Sequence, residues 1–234
     1  MPADTRAIAS PLLPYMPCTP PARVQKQFFR SAPPLYYFYF PASKPLEKNS
    51  SNAGAAVALV CVKAKDPQYL ILKRARHPGD PWSGHLAFPG GRREPGDGNL
   101  FVTVVRECFE ECHIRLQREH LLTILPAAMA GNALGNPVLV EPYVFELEQT
   151  PELQLCTTEI ESSRWLAESH LLQPEVHLWG PVMTNQGPQD QPHCMLGKDV
   201  FWGFSYRVLM SHLWHSGKLQ SQRFSSILAP ILKV

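Results

Sequence analysis

The stretch Phe88–Ile114, FPGGRREPGDGNLFVTVVRECFEECHI, decides how this chain is read. It ends in an Arg-Glu-x-x-Glu-Glu run, Arg106 to Glu111. Glu107, Glu110 and Glu111 are spaced i, i+3 and i+4, so on a helix they fall within an arc of roughly 100°. Carboxylates that close raise one another's pKa unless a cation sits among them. Hard oxygen ligands of this kind suit Mg²⁺ or Mn²⁺. Phe101, Val104, Val105, Cys108 and Cys112 form an apolar stripe on the same helix, expected over Leu100 to Cys112. One face is expected to pack while another, carrying the glutamates, coordinates. Arg106 stands i, i+4 from Glu110 and can hold it by charge-assisted hydrogen bonds. Asp97, in the loop before the helix, can meet Arg106 as a clamp or act as a ligand itself.

Working outward, Ala55 to Lys63 is rich in small and β-branched residues and reads as a buried strand. After a turn at Asp66-Pro67, Tyr69 to Arg74 reads as its hairpin partner, and His85 to Phe88 as a short strand stopping at Pro89-Gly90-Gly91. Leu121 to Met129, Val138 to Leu147 and Glu159 to Leu166 read as further strands, with a turn at Gly131 to Pro137. Ser169 to Pro174 reads as a helical turn or loop, Gly180 to Gly197 as a long polar loop, and Val200 to His215 as a closing helix. Strands interrupted by one internal helix and followed by another imply α+β with a mixed sheet between helices.

The 234 residues suit one domain with an extension, or at most two small domains, and hydrophobic residues at 44% suffice for a sizeable core. The net charge of +2 gives no case for a surface built to bind nucleic acid or membrane by charge. Residues 1–50 read as a Pro-rich N-terminal extension holding an aromatic patch, Leu35 to Phe40, that reads as a strand. Glu47 to Gly54 reads as a linker or loop, 51–216 as the main folded domain and 217–234 as a C-terminal tail. No apolar run reaches the roughly 18 residues of a membrane span. The basic, acid-poor start leaves organelle targeting open, although its prolines oppose an amphipathic helix. The expected location is intracellular: cytoplasmic, with mitochondria or peroxisomes as alternatives. None of the six cysteines forms a CxxC pair. Cys108, Cys112 and His113 lack the usual zinc-site spacing and number, so the thiols read as small buried hydrophobes.

Gly91 to Ile114 resembles the Nudix box, G-x5-E-x7-R-E-U-x-E-E-x-G-U with U aliphatic. Gly91 takes the first glycine, Arg106-Glu107 the Arg-Glu, Cys108 the U, Glu110-Glu111 the Glu-Glu and Ile114 the last aliphatic. Asp97 stands for the first glutamate, one residue further from Arg106 than the pattern has it. His113 replaces the second glycine, where a left-handed conformation ends the helix. Outside the box, Leu70 to Gly91, Val140 to Val144 and Trp202 to Arg207 resemble the coenzyme A pyrophosphatase branch, although Asp80 stands where a later Arg or His is expected. The resemblance implies a Nudix-type α/β/α sandwich with a mixed central β-sheet. It implies a hydrolase that splits a diphosphate linkage in a nucleotide derivative, with coenzyme A or acyl-CoA first and dinucleotides, nucleotide sugars or damaged nucleotides as alternatives. A non-catalytic Nudix-fold binding module is the rival from another class.

On that reading Mg²⁺ or Mn²⁺ is the cofactor and a small nucleotide diphosphate the partner, with no stable nucleic-acid partner. Glu107 and Glu111 are the primary metal ligands, joined by Glu110 and by the Gly91 carbonyl that the family resemblance implies. Glu107, Arg106 and Glu110 form the catalytic group, with Glu107 and Glu159 both open as general base. Arg74, Arg76 and Arg92, together with Arg93, can grip phosphates. Trp82 and His85 can contact an adenine or a pantetheine arm.

Overall fold

The computed structural model describes residues 52–131, 137–184 and 186–219. The expected strand at Leu35 to Phe40, most of the linker, the heart of the Gly131 to Pro137 turn and nearly all of the tail lie outside these residues.

The main sheet is built on two parallel strands, β1 (Ala55–Val62) and β7 (Val138–Leu147), in register from Ala55↔Val140 to Val62↔Leu147. Every other pairing is antiparallel. The free edge of β1 is shared: β2 (Gln68–Arg74) pairs with Cys61 and Val62, whereas β4 (Gly90–Arg92) pairs with Ala55 to Val57. Between them the chain passes through β3 (Leu86–Ala87), which pairs with Leu72 and Lys73. The β3–β4 segment therefore fills the fork where β2 splays away from β1. Gly90, at φ 147°, makes the switch, and a Cβ there would fall 2.6 Å from the Val57 Cα. β8 (Ile160–Ala167) runs along the outer edge of β2. β5 (Leu121–Ile124) and β6 (Ala128–Ala130) share the outer edge of β7.

Alternate side chains of β1 face opposite layers, as strand geometry requires. Ala56, Ala58, Val60 and Val62 pack on one side with Leu100, Val104, Cys108 and Cys112 of helix α1 (Leu100–Cys112). The alanines let the helix come close. Leu59 and Cys61 pack on the other side with Tyr206, Leu209, Met210 and Leu213 of helix α3 (Gly203–His215). A sheet between these two helices is the expected sandwich. The short helix α2 (Glu168–Leu171) follows β8, and Tyr69 Oη donates to its Glu168 Oε2 at 2.7 Å.

Gly180 to Gly197 is not a loop. It is most of a hairpin, β9 (His177–Thr184) with β10 (Gly187–Leu196), joined by β11 (Asp199–Trp202) into a second, three-stranded antiparallel sheet. Pro181, Pro188 and Pro192 with the run of Gln and Asp depress any local strand signal. The sheet is held instead by Cys194, Leu196 and Phe201 entering the α3 core. The closing helix accordingly starts at Gly203, and Val200 to Trp202 belong to β11. The strand expected over Leu121 to Met129 is two, because Pro126 interrupts it and has no N–H for the ladder. β4 was not expected, since Pro89-Gly90-Gly91 reads as a stop. Among the described residues, no helix is long and apolar enough to cross a membrane.

Candidate active site

Helix α1 begins at Asn99, whose side chain accepts a hydrogen bond from the Val102 N–H at 3.0 Å. It ends at His113, in the left-handed conformation (φ 62°, ψ 21°), whose N–H reaches the Phe109 carbonyl at 2.9 Å. His113 does the conformational work of the absent glycine. Its ring lies 4.2 Å from that of Phe109, which offsets part of the backbone cost.

Before the helix, Asp97 is the hub of a closed loop. Its carboxylate accepts from Arg106 Nε at 3.1 Å, Arg106 Nη2 at 2.9 Å, the Glu94 N–H at 2.9 Å and Thr103 Oγ1 at 3.0 Å. The Arg106 guanidinium, followed by the other donors, holds Asp97 well below the usual carboxylate range. With both oxygens engaged, Asp97 clamps the loop to the helix. Arg93 closes the same loop, donating to the Asp97 and Gly98 carbonyls at 3.1 Å. Arg106 also donates to the Arg92 carbonyl at 3.2 Å and pairs with Glu110 at 2.9 Å and Glu107 at 3.1 Å. It organises the glutamates.

The three glutamates are treated differently. Glu111 is 3% exposed and shares the buried face of α1 with Val104 and Cys108, so packing and coordinating faces are not separate as expected. It is turned inward onto the Phe88–Gly91 turn, where its Oε2 accepts from the Gly90 N–H at 2.9 Å. Burial pushes its carboxyl up to about 8; the Gly90 N–H opposes the rise and the Glu107 charge adds to it. Glu107 lies directly against Gly91, where a Cβ would collide with its carboxylate. Burial raises its pKa too, and Arg106 counteracts the shift. Glu110 instead points outward, half exposed, to Arg106.

Two carboxylates one turn apart and a glycine turn therefore converge, and both carboxylates resist ionisation without a counter-charge. This donor set fits a hard divalent cation. Among the described residues, no three His, Cys, Asp or Glu side chains form a ready-made ion cage. Cys108 and Cys112 face the core with no exposure, as expected of structural thiols.

Around this centre, Arg74 Nη1 lies 4.0 Å from Glu111 Oε1, and its Nη2 donates to Asp80 Oδ2 at 3.0 Å. Its Nε is buried without a hydrogen-bond partner among the described residues. Arg74 thus reaches the site already engaged. Asp80, flagged in the sequence only as a departure, also accepts from the Trp82 N–H at 3.0 Å and shapes the loop. Arg76 is exposed and lies across Gly84. Arg92 is exposed on β4 and meets Arg106 through its carbonyl alone among the contacts described. Glu159 is exposed; its carbonyl accepts from Ala75 N–H at 2.7 Å, and its charge adds to the rise in Glu107. Trp82 packs with Val182, Val200 and Trp202, and the His85 ring sits 5.3 Å from Trp202. The Gly90 N–H to Glu111 bond had no sequence signal beyond the glycines themselves.

The model of the NUDIX domain matches residues 53–186 of the chain. An uncharacterized protein of Schizosaccharomyces pombe is 34% identical over 113 residues, covering 47% of this chain and 34% of that one. An uncharacterized Nudix hydrolase, NudL, of Photorhabdus laumondii is 30% identical over 100 residues, covering 42% of this chain and 52% of that one. The chain thus spans about a third to a half of the length of these curated relatives. Among solved structures, a MutT/nudix family protein from Enterococcus faecalis superposes with a TM-score of 0.53 at 14% identity, covering 80% of this chain and 70% of that one, a likeness of fold. With the family model matching more than half of the chain, and the glutamate helix set against its glycine turn, the chain belongs to the Nudix family.

Proposed function

We propose that this chain is a metal-dependent hydrolase that cleaves a diphosphate linkage in a nucleotide derivative, with coenzyme A or an acyl-CoA as the preferred substrate. The observation that carries the hydrolase reading is the pair Glu107 and Glu111, held against Gly90 and Gly91. The coenzyme A preference rests on the residues before the box and at Val140 to Val144 and Trp202 to Arg207.

Mg²⁺ or Mn²⁺, when bound, supplies charge neutralisation of the diphosphate and an acidified water. Glu107 and Glu111 would hold it, with the Gly91 carbonyl, and Glu110 would complete the cluster or bridge a second ion through water. Arg106, fixed by Asp97, keeps Glu107 and Glu110 in place. Arg74, Arg76 and Arg92 would offer positive charge to the phosphates. Proton removal falls to Glu107 or to Glu159, which approaches from the loop before β8. Trp82 and His85 offer flat surface to the base or the pantetheine arm.

Purified full-length protein with Mn²⁺, offered coenzyme A, acetyl-CoA, diadenosine polyphosphates, ADP-ribose and nucleotide sugars, tests this directly. Hydrolysis of the coenzyme A compounds well ahead of the others is expected. Hydrolysis of another diphosphate first would replace the substrate while keeping the chemistry. Nucleotide binding without turnover of any member of the panel would make the chain a binding module.

A further inference from the structure

We infer that Ser205 is a positioning residue for the ion site, acting on it through the Phe88–Gly91 turn; this rests on the metal-dependent reading above. Ser205 stands in the first turn of α3, 117 residues from Phe88 and beyond the segment that matches the family model. It is 7% exposed, and its Oγ accepts the Phe88 N–H at 3.3 Å. The next residues along the turn make the site. Pro89 is held to β1 by the Ala58 N–H at 2.8 Å, Gly90 donates to Glu111, and Gly91 abuts Glu107. The turn therefore has three anchors: β1 below, α1 above and Ser205 at its entrance.

The entrance anchor is itself braced. The Phe88 ring meets Phe201 of β11 edge-on at 6.4 Å, and Phe201 meets Tyr206 at 5.8 Å. Tyr206 Oη pairs with His177 Nδ1 at 2.8 Å, and His177 Nε2 pairs with the Leu171 carbonyl at 2.8 Å. Burial holds His177 in its neutral form, in which Nε2 donates to that carbonyl and Nδ1 accepts from the tyrosine. Removing the hydroxyl of Ser205 strands a buried backbone N–H at the start of the turn. The turn then relaxes where Gly90 and Gly91 must face the two carboxylates, and the ion is held less well. Groups that orient a metal site from behind its ligands change affinity by about ten- to a hundredfold when removed. A contact one step further back is expected near the lower end, about tenfold.

The experiment is Mn²⁺ titration of the full chain by water-proton relaxation, with thermal melting in parallel. Ser205→Ala is expected to weaken Mn²⁺ binding about tenfold, and Ser205→Thr, which keeps the hydroxyl, to restore it. Leu209→Ala, elsewhere on α3, is expected to lower the melting temperature while leaving Mn²⁺ affinity unchanged. Wild-type affinity in Ser205→Ala would overturn the inference, as would equal weakening in Leu209→Ala. Should Ser205→Ala fail to fold, Ser205→Cys, of similar size and a poor acceptor, makes the same comparison. Wild-type protein that takes up no Mn²⁺ would overturn the metal reading itself.

Discussion

Replacing Glu111 by glutamine is expected to make the ion-free protein more stable while removing its activity. Glu111 is 3% exposed, and its carboxyl is raised from an ordinary value of 4.5 to about 8. A carboxyl raised on folding binds its proton more tightly in the folded state. Its contribution to stability is therefore complete below the unfolded value and lost as pH climbs through the folded one. At 1.36 kcal/mol per unit, the span from 4.5 to pH 7 represents about 3 kcal/mol of lost stability. Glutamine cannot ionise, still offers an oxygen to the Gly90 N–H, and escapes this loss. Its amide needs a new acceptor at a cost of about 1 kcal/mol, leaving a gain of about 2 kcal/mol at pH 7. At about 2–4 °C per kcal/mol for a domain of this size, the melting temperature in EDTA rises by about 4–8 °C. At pH 5 the gain disappears. Losing the carboxylate charge from the proposed ion site is expected to remove several kcal/mol of transition-state stabilisation, about a thousandfold in rate. The assays are melting curves in EDTA from pH 5 to 8 and turnover with Mn²⁺. A variant that melts below wild type at pH 7, or that keeps near-normal turnover, would refute the placement of Glu111 as a buried, ion-demanding ligand.

Gly91→Ala should drive a methyl group into the Glu107 carboxylate, so Mn²⁺ affinity falls by about tenfold or more, read by relaxation titration. Asp97→Asn should remove charge-assisted bonds to Arg106 and cost about 2 kcal/mol, seen as a lower denaturation midpoint with an unchanged denaturant slope. His113→Gly relieves a non-glycine residue at φ 62° and should stabilise the protein by up to about 1 kcal/mol; a lower melting temperature would mean that its stacking on Phe109 outweighs the backbone cost. Arg106→Lys should lower turnover through lost order at Glu107 and Glu110, because lysine cannot span Asp97, Arg92 and Glu110 together.

Leu100–Cys112 is readable as a helix from its periodicity and from the loop before it. The strand Ala55–Val62 is readable because it is a continuous run of small and β-branched residues, and its partner Val138–Leu147 because valines and aromatics recur along it despite Glu141 and Pro142. The second sheet is not, since its strands hold prolines and glutamines and exist only through their pairing and through Cys194 and Phe201 entering a core made elsewhere. The same distinction runs through the site. Spacing along one helix places Glu107, Glu110 and Glu111 on neighbouring positions, because helical geometry is local. Which of them turns toward the glycine turn is a tertiary matter. Gly90 offers Glu111 an N–H, Gly91 leaves room for Glu107, and Arg106, drawn by Asp97, turns Glu110 outward. Burial, which sets the protonation of Glu111, and the reach of Ser205 across 117 residues to the glycine turn arise only when distant segments pack, so no reading of neighbours in the chain contains them.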